Sequence, residues 1–134
     1  MNRKLKFRLG LGVALVLLSA IVVLYFYVYQ SHRDIDAEQA TFETSVSELS
    51  QRFINNPDSS TVTYADQTIS IYGNVTALDL KQNTITLDNK LIATTSKDQM
   101  NSAKMGELVK LKGRFIGYDE LFNELRMDQC TIEE

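Results

Sequence analysis

At 134 residues the chain holds one domain of ordinary size. Its 17 acidic against 14 basic residues argue against a general nucleic-acid binder, whose affinity rests on Lys and Arg displacing counterions from phosphates. One cysteine excludes an intrachain disulfide, and one histidine leaves little material for a His-based metal or nucleophile–base site.

Residues 1–8 form a short basic segment with Arg3, Lys4, Lys6 and Arg8. From Leu9 to Tyr29 there is no charge, and the stretch closes on Tyr25, Phe26, Tyr27 and Tyr29. An apolar run of that length crosses a hydrocarbon core of about 30 Å, and interfacial aromatics are typical of a span's end. Arg33 is the only Lys or Arg in the stretch that follows, so retention of positive charge predicts a cytoplasmic N-terminus. A cleaved signal peptide has a shorter apolar region ending at small residues, and a lipoprotein has a Cys there. Neither pattern is present, so the expectation is an uncleaved signal anchor, single-pass in the cell inner membrane, with the rest of the chain extracytoplasmic (periplasmic). The four basic residues before the span leave 10 of the 14 beside all 17 acids, giving the exported part a net charge of −7.

Residues 30–64 read as a helical stalk and packing helix. Ile35, Phe42, Val46, Leu49 and Phe53 recur at helical spacing and form one apolar stripe. Ser45-Val46-Ser47-Glu48 has capping-box form, which predicts that a helix restarts there after a looser segment around Phe42. Asn56 then stands where it would cap a further short turn with Pro57 in its first position.

Over residues 65–134 the period changes to two. Thr68 to Val75 alternates, Asn83 to Asp88 follows a hairpin connection, and Asp88-Asn89-Lys90 turns into Leu91 to Thr95. Ser96 to Met105 reads as a non-strand insertion with Met100 and Ala103 inward. In Leu108 to Gly117, Val109, Leu111, Gly113 and Phe115 share one face, and Lys110, Lys112 and Arg114 the other. A polar turn, Tyr118 to Asn123, precedes a last strand whose apolar positions Leu125 and Met127 change phase before Cys130 and Ile132. Cys130 reads as a buried thiol within that strand.

The predicted fold class is mainly β with N-terminal helices: a single transmembrane helix followed by a five-stranded OB-fold barrel, with a small helical insertion between the third and fourth strands. Gly73 and Gly113 fall inside strands, where so small a barrel needs bends or bulges. Phe42 to Ile132 resembles the tRNA-anti-like OB-fold family, small bacterial domains often placed behind an N-terminal anchor or lipoprotein signal. The resemblance rests on Ser45-x-x-Glu48-Leu49 with Phe53, then Tyr64 ahead of Ile69-x-Ile71-x-Gly73-x-Val75. It continues through Gly106-Glu107-x-Val109-x-Leu111-Lys112-Gly113-x-x-x-Gly117 to Cys130-x-Ile132. These are core hydrophobes and turn glycines, so the resemblance implies a fold and no chemistry. The anchored haem chaperones of cytochrome c maturation are similar in architecture. They attach haem through a His near the C-terminus followed by a Tyr, and neither residue stands in Met127 to Glu134.

An OB-fold reads single strands with aromatic and basic residues on strands two and three and on the flanking loops. Thr84 to Thr95 has no aromatic and one base, Lys90, while the loop holding Tyr118 and Phe122 also carries Asp119, Glu120 and Glu124. The expectation is a non-enzymatic interaction module with no cofactor and no metal, meeting an envelope protein or glycan through Tyr118, Asp119, Glu120 and Phe122. The row Lys110, Lys112 and Arg114 reads as a solvated face first and a partner contact second. An oligonucleotide-binding domain and a structural subunit of a membrane complex are the alternatives, with nucleic acid disfavoured by charge.

Overall fold

The computed structural model describes residues 2–29 and 33–134. His32, the sole histidine, lies outside the described residues. The chain divides into two units, Met1–Arg33 and Asp34–Glu134.

In the first unit, Arg3–Val28 forms helix α1. It runs 26 residues, buries none of them within the structure, and is long and apolar enough to cross a membrane. Asn2 is its N-cap and Tyr29 its C-cap. Tyr29 stacks on Tyr25 one turn back, with ring centroids 4.6 Å apart.

The second unit opens with turns over residues 34–41, then β1 (Phe42–Ser45), α2 (Val46–Asn55) and α3 (Pro57–Tyr64). The helical reading of residues 31–64 is therefore corrected between 34 and 45. Phe42 and Val46 sit four apart, which imitates a helical stripe, but Phe42 to Ser45 has backbone pairing with a strand instead: Phe42 lies opposite Ile69 and Ser45 opposite Tyr72, in parallel. Ile35 is buried, though outside the barrel's core cluster. Its segment straps the outer face of the sheet, where Thr68 Oγ1 donates to Glu38 (2.6 Å) and Lys112 Nζ to the Asp36 carbonyl (2.8 Å). Ser45 does cap α2, its hydroxyl accepting from the Glu48 N–H at 3.1 Å. Pro57 opens α3 as expected, but the Asn56 side chain makes no cap hydrogen bond.

The remaining elements are β2 (Thr68–Asp79), β3 (Thr84–Leu87), β4 (Leu91–Thr95), the single turn α4 (Lys97–Met100), β5 (Leu108–Asp119) and β6 (Glu124–Glu133). The sheet runs β1-β2-β3-β4-β6-β5, and β5 pairs back onto β2, closing a barrel of five strands with β1 attached to β2. The β4–β6 pairing is parallel and the other pairings around the barrel are antiparallel. This is the strand order of an OB-fold, and it realises the predicted class. The inward faces fill it: Ile69, Ile71, Ile85, Leu87, Leu91, Leu111, Phe115, Leu125 and Met127 are all buried. Met100 and Ala103 point into the same core from the insertion.

The change of phase in the last strand is a β-bulge. Pairing slips between Lys112 and Arg114 opposite Thr131 and Asp128, and Gln129 takes φ 49° to absorb the extra residue. The bulge brings Cys130 inward beside Gly113. Burial pushes the Cys130 thiol well above the usual range, and the charge of Asp128 adds to it. The native thiol thus keeps its proton where the unfolded one ionises. That stabilisation is complete below the ordinary thiol pKa of about 8.5 and is lost as pH rises, by about 1.4 kcal/mol per unit. Between pH 8.5 and 10, urea melts followed by near-UV circular dichroism should show the wild type losing about 1.5 kcal/mol more than Cys130→Ala. Parallel pH slopes in the two proteins would refute this.

Candidate interaction site on the barrel

Beyond its pairing with β2, strand β5 continues as an arm with β6, from the Phe115–Met127 pair to Asp119 opposite Glu124. The sequence placed Tyr118 and Asp119 in a turn, whereas both lie within β5. The arm closes with a loop in which Asp119 Oδ1 accepts from the N–H groups of Leu121 (3.0 Å) and Phe122 (3.3 Å), and Asn123 takes φ 54°. The β2–β3 connection repeats this device: Asp79 Oδ1 accepts from Lys81 (2.9 Å) and Gln82 (3.1 Å), and Asn83 takes φ 53°. Asp is suited to this because its short carboxylate reaches the donors two and three residues on, and Asn tolerates the left-handed conformation.

The structure separates the four expected arm residues by role. Tyr118 folds back: its ring lies 5.4 Å from that of Phe53, and its hydroxyl donates to Asn123 at 2.6 Å. Asp119 holds the turn and sits 3.8 Å from Arg126, which also faces Glu124 at 3.6 Å. Phe122 is 68% exposed, and Leu121 beside it is 91% exposed. Glu120 is exposed as well. Ile116 is half exposed and lines an open hollow of about 390 Å³ with Gly117, Tyr118, Asp119, Glu120 and Arg126. Leu121 and Ile116 were missed from the sequence. The signal for Ile116 was there, since it continues the outward phase of residues 110, 112 and 114.

The row Lys110, Lys112 and Arg114 does share the outward face, but each member is engaged within the chain. Lys110 Nζ lies 3.0 Å from Glu43 and 3.7 Å from Glu133, and the Glu43 carboxylate holds its ammonium above the usual range. Lys112 binds the strap, as above. Arg114 makes a two-pronged contact with Asp128, Nε donating at 2.9 Å, and that carboxylate raises the guanidinium's pKa. Such a bidentate pair is geometrically demanding and leaves few donors for a phosphate. Among the described residues no cluster of three His, Cys, Asp or Glu side chains is arranged to hold a metal ion.

The tRNA_anti-like family model matches residues 1–123, most of the chain and including α1. The chain belongs to the tRNA_anti-like family. The family expectation from the core hydrophobes and glycines is thereby met. No curated protein matches the chain. Among solved structures, a lipoprotein of Klebsiella pneumoniae subsp. pneumoniae MGH 78578, named as a candidate nucleic acid-binding protein, is similar with a TM-score of 0.53. It is 14% identical, and the match covers 77% of this chain and 100% of that one; at that identity the likeness shows the fold. A candidate aspartyl-tRNA synthetase of Leishmania major Friedlin aligns with a TM-score of 0.43, 12% identity, 84% of this chain and 25% of that one. An OB-fold barrel of this family fits a binding module, and α1 has the length and composition of a membrane anchor or signal sequence.

Proposed function

We propose that this protein is a membrane-anchored, non-enzymatic interaction module whose barrel lies outside the cytoplasm and meets an envelope protein or glycan through the β5–β6 arm. The observation that carries the reading is the apolar tip. Leu121 and Phe122 stand exposed on a loop whose backbone is already satisfied by Asp119, so neither side chain serves the fold. Glu120 beside the tip and the net charge of −7 behind it favour a partner with apolar and basic character. The basic flank before α1 supports a cytoplasmic N-terminus in the inner membrane.

Because Tyr118 packs against the core and Phe122 does not, the informative variant is Leu121→Ser with Phe122→Ser. Crosslinking in intact cells followed by mass spectrometry should recover a partner with the wild type and lose about tenfold of it with this variant, folding being unchanged. Unchanged crosslinks would sink the arm as the contact. The oligonucleotide reading takes its support from the OB-fold itself and from the Klebsiella neighbour's name. Fluorescence anisotropy of the full-length protein with single-stranded DNA and RNA should show no binding at low salt; affinity that falls steeply with salt would replace our reading with that one.

A further inference from the structure

A second hollow lies at the other end of β5 and shares no residue with the arm. It has a volume of about 530 Å³ and is bounded by β2, the start of β5, the end of β6 and the insertion after β4. Its apolar lining comes from Tyr72, Leu108 and Ile132. Tyr72 is 41% exposed and Leu108 65% exposed, on strand faces that the strap over residues 34–41 leaves open. One wall is fixed, because Gln99 Oε1 accepts from the Ile132 N–H at 2.9 Å.

The charges around it are lopsided. Glu107, Glu133 and Glu134 line the hollow with a single base, Lys110. Lys110 is already shared between Glu43 and Glu133, and Glu133 also accepts from Ser70 Oγ at 2.7 Å. Among the described residues nothing neutralises Glu107. An anion entering here would meet an excess of carboxylates over bases. A cation would gain from the acids and from the Tyr72 ring that lines the hollow, since an ammonium or guanidinium is attracted to an aromatic ring. The volume lies within the range of about 300–1,000 Å³ typical of small-molecule sites.

We propose that this hollow binds a small organic cation, an ammonium or guanidinium carried on a short apolar body. The apolar part rests on Tyr72, Leu108 and Ile132, and the charge faces Glu107 and Glu133. This site stands apart from the arm, so either reading can fail without the other.

The test uses full-length protein in zwitterionic nanodiscs, followed by amide and methyl NMR. The probe is 2-phenylethylammonium, with 3-phenylpropionate as the shape-matched anion. The amine should give saturable shifts at Tyr72, Leu108, Val109 and Ile132, with the anion about tenfold weaker. Tyr72→Ala and Glu107→Gln, both at exposed positions, should each weaken the amine about fivefold. The idea is overturned by absence of saturable shifts at millimolar amine, by equal binding of the anion, or by full binding in both variants.

Discussion

Gly113→Ala should destabilise the barrel by about 3 kcal/mol, the upper end of what one added methyl costs in a packed interior. A Cβ at this position would stand 2.5 Å from Cys130 Sγ, 2.9 Å from the Asp128 carbonyl oxygen and 3.1 Å from Cys130 Cα. The last two contacts are backbone, so rotating a side chain cannot relieve them. The bulge at Gln129 is what presses β6 against β5 here, and Arg114 grips Asp128 on the outer side of the same kink. The double variant Gly113→Ala, Cys130→Ala removes the sulfur contact alone, so it should recover only part of the loss. Gly117→Ala is the control: nothing lies within 4 Å of its added Cβ, and its urea midpoint should move by no more than about 0.5 kcal/mol equivalent. Equal losses at 113 and 117 would show that backbone freedom, not close approach, decides both positions.

This pair of glycines shows what was legible in the sequence and what was not. Alternation placed Gly113 on the inward face with Val109, Leu111 and Phe115, and the phase change before Cys130 was visible in the next strand. What alternation cannot express is which inward position lies against which, because that depends on pairing register. The same limit explains the strap. Ile35 and Phe42 were read from spacing along the chain, yet one is buried outside the barrel and the other enters the sheet as an edge strand. Local period reports an element's type; it does not say that β2 will offer an open edge to the segment Phe42–Ser45 upstream. At the candidate site, chemistry was readable and direction was not. Tyr118 and Phe122 are both aromatics near an acidic turn, but the arm's own bulge between Phe115 and Gly117 sends Tyr118 inward and leaves Phe122 out. The net charge of the chain after α1 was fully legible, whereas the pairing of Lys110 and Arg114 with Glu43, Glu133 and Asp128 needed the fold.

Phe53→Ala should cost about 4 kcal/mol, as removal of a buried aromatic does when its surroundings cannot collapse. Phe53 is 1% exposed and sits among three rings, 5.3 Å from Phe115, 5.4 Å from Tyr118 and 6.2 Å from Tyr64. It is the residue through which α2 reaches both the core strand β5 and the base of the arm. In a small domain that loss is a large share of total stability, so near-UV circular dichroism should show the barrel partly unfolded at 37 °C. Phe53→Leu is the sharper probe, since it keeps most of the volume and should cost no more than about 1.5 kcal/mol. In that folded variant the Tyr118 ring loses its neighbour, and its NMR signals should shift while those of Leu121 and Phe122 do not. Partner crosslinking should then survive, because the tip is held by Asp119 rather than by the core. Crosslinking lost in Phe53→Leu and retained in Leu121→Ser, Phe122→Ser would move the contact from the tip to the hollow beside Tyr118.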